Sequence, residues 1–282
     1  MQTLAQKQAD TQTMLQQICD THDRMVLWAS GGVDSTLLLW LCRAWAPRLR
    51  VFHVARDESF PDVTETLIAN AMRWGYGGTL TLLRPWRTME QYIQQFGWPV
   101  DIVPTALEGG TAVADSVYRT SPVKVSSWWH CTYVRCTYPL MLATAAYQAE
   151  ALLTGSRLED APANAPFAAA VPPVPQGIWT RYNPLADWTR AEIWTVADEV
   201  QLPLPPLYAQ WKRRMSLIGV ECSDCLRCSW VPEMWTEVLP IYYPDVYAKY
   251  WPEVRAVYQV VRQALQHEQQ RLAALPLIDV LP

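Results

Sequence analysis

The chain has 282 residues, 50% hydrophobic and 18% charged. That is enough to bury one sizeable core, alone or with a small appended domain, and too apolar for a disordered chain. A net charge of −4 and a pI near 5.6 exclude a global attraction to nucleic acid, so any such contact needs a local basic patch.

The first 24 residues, Met1 to Arg24, are polar and Gln-rich, with Leu4, Met14, Leu15 and Ile18 at helical spacing. They predict an amphipathic helix over 3–22, not a signal peptide. Met25 to Ala29 is a short apolar run, a buried strand by its length. Ser30 to Asp34 is a turn of small residues. A helix is expected from Ser35 to Trp45, burying Leu37, Leu38, Leu41 and Trp45 and stopped by Pro47. Leu49–Val54 is a second strand, Asp62–Trp74 a helix and Leu80–Leu83 a third strand. Tyr138–Glu150 reads as a helix and Ala151–Thr154 as a strand. The Pro/Ala-rich stretch 158–177 reads as a loop or flap. Thr189–Val200 is a helix capped by Asp187 or Thr189. Residues 244–272 are largely helical. No uncharged apolar run reaches the length of about 18 residues that a membrane span needs, so a cytoplasmic protein without membrane contact is expected.

Strands alternating with helices predict an α/β fold, a doubly wound and mostly parallel sheet with helices on both faces and a helical C-terminal extension. Such sheets bind ligands at the carboxyl edge. Ser30-Gly31-Gly32-Val33-Asp34-Ser35 lies at that edge, between an apolar strand and an apolar helix. The glycines let the backbone turn tightly and bring N–H groups to an anion. The following helix points its positive end at the same place. The hydroxyls of Ser30 and Ser35 add hydrogen bonds. Asp34 carries the wrong charge to bind phosphate itself and instead orients the loop or helps to hold Mg²⁺. No Gly-Lys-Ser/Thr is present, so this is not a Walker loop.

The loop resembles that of the PP-loop superfamily of adenine nucleotide alpha hydrolases. Further segments are similar to the phosphoadenosine phosphosulfate (PAPS) reductase family in the family's order. They are Glu58-Ser59-Phe60-Pro61-Asp62-Val63-Thr64-Glu65, Cys131 to Leu140, Gly155-Ser156-Arg157-Leu158-Glu159-Asp160, Asn183 to Thr189, and Leu202-Pro203 with Pro206-Leu207-Tyr208. The resemblance spans roughly residues 25–230 and divides the chain into an N-terminal helix (1–24), a PP-loop nucleotide-binding domain (25–200) and a cysteine loop with a helical C-terminal region (201–282). It implies an adenine nucleotide, ATP or a relative, held with Mg²⁺ by Ser30, Gly31, Gly32, Val33, Asp34, Ser35, Asp57, Gly155 and Arg157, with Asp34 and Ser35 in catalysis. Arg157 is a candidate for phosphate or ribose through its planar fork. Asp57, at the end of the second strand, is a candidate for metal or ribose.

Two departures matter. Reductases of the family attack the sulfonucleotide with a cysteine near the C-terminus, and no cysteine follows Cys228 here. The loop carries Val33 where those reductases usually have lysine, and Ser-Gly-Gly-Val-Asp-Ser is the form seen in ATP pyrophosphatases that adenylate a substrate. The reading is therefore an ATP pyrophosphatase coupled to sulfur transfer onto a nucleobase or nucleic acid. One rival is a sulfonucleotide reductase using another thiol, Cys136 or a partner's. Another is a non-catalytic nucleotide-binding subunit of a larger assembly.

Five of the seven cysteines are Cys131, Cys136, Cys222, Cys225 and Cys228. Cys222-x-x-Cys225-x-x-Cys228 places three thiols in one tight loop, a metal-binding pattern rather than a disulfide scaffold. The resemblance makes Cys131 the fourth ligand of a [4Fe–4S] cluster, with Zn²⁺ the alternative, and Cys136 falls where the family carries lysine. Cys19 and Cys42, on helix faces, are expected in the core. Lys212, Arg213 and Arg214 form the dense basic run, either a solvated helix face or a site for an acidic backbone. The implied partners are an adenine nucleotide, a sulfur-donor protein, a nucleic acid acceptor through Lys212–Arg214 and, in a homo-oligomer, a second copy of the chain.

Overall fold

The structure, a computed structural model, describes residues 2–56, 60–100, 123–158, 179–206, 208, 235 and 239–273. Its elements run, in chain order, α1 (Leu4–Thr21), β1 (Met25–Trp28), α2 (Val33–Leu41), β2 (Leu49–Val54), α3 (Pro61–Arg73), β3 (Leu80–Leu83), α4 (Met89–Phe96), β4 (Trp98–Val100), β5 (Val125–Ser127), α5 (Trp128–Thr132), α6 (Tyr138–Ala146), β6 (Ala151–Leu153), β7 (Thr180–Tyr182), α7 (Arg190–Glu199), α8 (Leu239–Tyr242) and α9 (Pro244–Ala273). The chain divides into two compact units, residues 1–86 with 132–225, and residues 87–131 with 226–282.

The first unit holds a five-stranded sheet in the order β3-β2-β1-β6-β7. Every pairing is parallel, with Met25 opposite both Leu49 and Ala151. Successive residues of β1 enter different clusters. Met25 and Leu27 pack with Leu37, Leu38, Leu153 and Ile193, while Val26 packs with Phe52 and Leu152. Side chains alternate across a strand, so a strand apolar at every position needs cover on both faces. That is the α/β, doubly wound arrangement expected from the sequence. The chain proceeds outward from β1 through β2 to β3, then returns to the other side of β1 for β6 and β7. The topological switch point is therefore between β1 and β6, the place where such sheets bind ligands.

Caps fix the helices that flank this sheet. Thr3 and Gln6 close a capping box on α1, and Thr189, not Asp187, closes one on α7 with Glu192. Lys7 bridges the two helices through Glu192 at 2.8 Å. Cys19 and Cys42 are core residues, and burial pushes the Cys19 thiol up to about 11 and the Cys42 thiol well above its ordinary value. Two helices differ from the sequence expectation. The helix expected over 35–45 is α-helical only through Leu41 and continues as a 3₁₀ stretch to Arg48. Pro47 lies inside that stretch, and its ring clashes with the carbonyl four residues back in α geometry. The helix expected over 138–150 ends at Ala146, because Gln148 turns left-handed at φ 56°, and a π-helical turn over Tyr133–Thr137 precedes it.

The second unit contains the parallel pair β4–β5, with α4 before it, and the helices α8 and α9. Tyr92 of α4 is fully buried and its hydroxyl meets Ser126 at 2.8 Å and His130 Nδ1 at 2.5 Å. No helix among the described residues is long and apolar enough to cross a membrane.

Candidate nucleotide site

The site begins where β1 ends. The Ala29 N–H donates to the Phe52 carbonyl at 3.0 Å, which holds the strand end on β2. His53, buried, lies 2.8 Å from the Ala29 carbonyl through Nδ1 and 3.1 Å from the Thr64 hydroxyl through Nε2. A carbonyl only accepts, so Nδ1 carries a proton. The histidine thus ties the start of the loop to α3. Nothing in the sequence pattern distinguished it from any strand residue.

The loop folds around two hydroxyls. The backbone N–H groups of Ser30 and Gly31 each donate to Ser35 Oγ at 3.2 Å, and that of Gly32 donates to Ser30 Oγ at 3.2 Å. The Ser35 hydroxyl donates to the Gly32 carbonyl at 3.1 Å and lies 3.0 Å from Ser30 Oγ. Three consecutive amides therefore converge on one small volume. Directly behind it, α2 starts at Val33 with Gly32 as its N-cap, and no side chain caps its first N–H groups. An uncapped helix start with its positive end is the kind of place where an anion binds. Gly31 is required, and Gly32 is closely packed. Gly31 has φ +88°, and a Cβ there would stand 2.6 Å from Val63 Cγ1, whereas one on Gly32 would stand 3.3 Å from the Tyr208 hydroxyl.

The loop after β6 supports this helix start from the other side of the switch point. A Cβ on Gly155 would lie 3.0 Å from the Asp34 carbonyl carbon and 3.0 Å from the Ser35 nitrogen. Only a glycine lets these two backbones touch. Arg157 then turns back and pairs its Nε with Asp34 Oδ1 at 2.9 Å, its side chain 1% exposed against 25% for the aspartate. Asp34, Gly155 and Arg157, singled out separately in the sequence, are thus one contiguous assembly. The guanidinium faces the Asp34 carboxylate, so any phosphate or cation at this point shares that partner.

A further contact lies past β2, where Arg56 Nη1 donates to Cys136 Sγ at 3.5 Å. Asp57 lies outside the described residues, as do Lys212, Arg213, Arg214, Cys222, Cys225 and Cys228. Cys131 is described, on α5, and is 1% exposed. Among the described residues no group of three or more His, Cys, Asp or Glu side chains is placed to hold a metal ion.

A model of the phosphoadenosine phosphosulfate reductase domain matches residues 24–225. The chain belongs to that family. Adenosine 5'-phosphosulfate reductases from Burkholderia cepacia and Allochromatium vinosum are each 25% identical to it, over 79% of this chain and 78% of the first relative, and over 82% and 79% for the second. A solved PAPS reductase from Candida auris, in a phosphate complex, is similar at 15% identity and a TM-score of 0.47, covering 76% of this chain and 88% of its own. The PP-loop and PAPS reductase resemblance read from the motifs is thereby shown. These relatives are enzymes acting on sulfonucleotides.

Proposed function

We propose that the chain binds an adenine nucleotide through Ser30–Ser35 and activates a substrate by attack on the α-phosphate, releasing pyrophosphate, with sulfur transfer to a nucleobase or nucleic acid as the overall outcome. The observation that carries the nucleotide reading is the start of α2, which no side chain caps and which the loop, folded around the Ser30 and Ser35 hydroxyls, leaves at the end of β1. A helix N-terminus of this kind stabilises charge that develops on a leaving phosphate. Mg²⁺ would neutralise the polyphosphate and polarise its oxygens. Arg157 holds Asp34 in place, and Val33 stands where the family's reductases usually carry lysine. Incubating the protein with Mg·ATP and measuring pyrophosphate tests the reading. Release well above the uncatalysed background is expected, and its absence with every acceptor tried, alongside sulfite release from adenosine 5'-phosphosulfate, would replace this activity by the next one.

That second reading is sulfonucleotide reduction with Cys136 as the nucleophile. The Arg56 guanidinium beside its sulfur favours it, since an adjacent cation stabilises a thiolate. Attack on the sulfonucleotide sulfur would leave a Cys136–SO₃⁻ adduct and release the nucleotide, and an external dithiol would supply the two electrons that free sulfite. A Cys136→Ser variant keeping full sulfite release would end this reading.

For the cysteine loop we assign Cys131, Cys222, Cys225 and Cys228 to a [4Fe–4S] cluster, with Zn²⁺ as the alternative. Cys131 is held out of water, which suits a cluster ligand better than a reactive surface thiol. Anaerobic protein is expected to carry iron and acid-labile sulfide in about equal amounts, roughly four of each per chain for a cubane. Cys131→Ser is expected to lose most of both, with Cys136→Ser retaining them. Zinc without sulfide would select the alternative, and a Cys131→Ser protein with undiminished metal would remove that residue from the ligand set.

A further inference from the structure

The switch point has a second set of polar groups, on β6 and β7, that the nucleotide loop does not use. Arg181 Nε donates to Asn183 Oδ1 at 3.3 Å, and its Nη2 donates to Thr154 Oγ1 at 3.2 Å and to Ser156 Oγ at 3.0 Å. The Thr154 hydroxyl lies 2.5 Å from Asn183 Oδ1 and 3.2 Å from Ser156 Oγ. A guanidinium has only hydrogens to give, so each of these oxygens must accept from it. The same contact fixes which atom of the Asn183 amide is oxygen. Thr154 has one proton, and the shorter contact gives it to Asn183.

What remains in the cluster is donors alone. Arg181 Nη1, Asn183 Nδ2 and the Ser156 proton have no acceptor in these contacts. No carboxylate among the described residues forms an ion pair with Arg181. Arg181 is exposed on its edge strand, so the donors it does not spend inside the cluster are reachable by a ligand from solvent. A surplus of donors around a cation that forms no ion pair among the described residues is complementary to an oxyanion. The cluster also borders the phosphate loop, because Gly155, between Thr154 and Ser156, rests on the Asp34–Ser35 backbone.

We propose that Arg181, Ser156 and Asn183 form an oxyanion subsite for the phosphoryl or sulfuryl group that an adenine nucleotide carries beyond its α-phosphate. This rests on the nucleotide reading of the Ser30–Ser35 loop. The subsite selects nucleotides with a second anionic group over AMP. The pyrophosphate of ATP and the sulfate of adenosine 5'-phosphosulfate share the chemistry it reads.

Calorimetric titration of the full chain with ATP, adenosine 5'-phosphosulfate, AMP and inorganic phosphate tests this. Arg181→Gln is expected to weaken ATP, the phosphosulfate or both by about tenfold, about 1.4 kcal/mol, while AMP changes by less than roughly twofold. Arg181→Lys, which keeps the charge and loses the fork, is expected to fall between. Loss for ATP alone assigns the group to pyrophosphate, and loss for the phosphosulfate alone assigns it to sulfate. Unchanged affinities in Arg181→Gln, or an equal loss for AMP, overturn the proposal. Should that variant fail to fold by circular dichroism, Ser156→Ala is judged by the same comparison. If the wild-type chain binds no adenine nucleotide, the loop reading fails by itself. Inorganic phosphate then decides the subsite: binding lost with Arg181→Gln supports it, and equal binding in both proteins overturns it.

Discussion

Replacing Asp34 by alanine is expected to lower nucleotide turnover roughly tenfold or more, without weakening nucleotide binding, and to destabilise the fold by about 3 kcal/mol. The reason is the partner it leaves behind. Arg157 is almost wholly buried and its Nε sits 2.9 Å from the Asp34 carboxylate. Removing one member of a buried pair takes this counter-charge from the other, which costs more than the pair itself contributes. Without that carboxylate the guanidinium adds attraction for an anion bound close by. It also loses the contact that fixed the loop after β6 against α2, so the same phosphate is held less accurately. Tighter ground-state binding with poorer positioning lowers kcat rather than raising KM. Asp34→Asn, which keeps the shape and loses the charge, separates the two effects. Steady-state kinetics and thermal unfolding measure them, and wild-type turnover in the alanine variant would show that the carboxylate has no part in the chemistry.

A Gly31→Ala chain is expected to lose on the order of 3 kcal/mol of stability and most of its nucleotide affinity. Two separate costs act at this position. Its φ of +88° is a backbone state that an alanine adopts only under strain, and the added methyl would stand 2.6 Å from Val63 Cγ1. Val63 is itself fully buried at the start of α3, so it has no room to yield. Either the loop flattens, turning the Ser30 and Gly31 amides away from Ser35 Oγ, or α3 moves outward. Adding Val63→Ala removes the collision and leaves the dihedral strain. The double variant should therefore recover part of the stability and little of the affinity. Denaturant unfolding together with nucleotide titration tests this. Full recovery of both would mean that sterics alone, not the backbone conformation, make the glycine necessary.

Much of the frame was legible in the chain. The apolar runs at Met25–Trp28, Leu49–Val54 and Leu80–Leu83 are strands to within a residue of where their composition placed them. β1 and β2, buried on both faces, leave a continuous apolar signal. β7 left none, because Thr180, Arg181 and Tyr182 form a short edge strand with little to bury. The pair β4–β5 is only three residues long in each strand, below the length at which alternation can be read. The capping boxes at Thr3 and Thr189 follow a fixed three-residue spacing, so one of them resolved the choice that composition had left between Asp187 and Thr189.

The sequence by itself determined the phosphate loop. Its serines and glycines interact within six consecutive residues, and its conformation depends on backbone freedom that glycine alone provides at Gly31. Only the tertiary structure decided what surrounds the loop. That Gly155 lies on the Asp34–Ser35 backbone, that Arg157 spends its charge on Asp34, that His53 clamps Ala29 to Thr64 and that Arg181 gathers Thr154, Ser156 and Asn183 are contacts between residues up to 123 positions apart, as from Asp34 to Arg157. The parallel sheet creates them, because each crossover returns the chain to the same edge and sets the ends of β1, β2, β6 and β7 side by side. Local propensity acts over a few residues and carries no record of which strand ends will become neighbours.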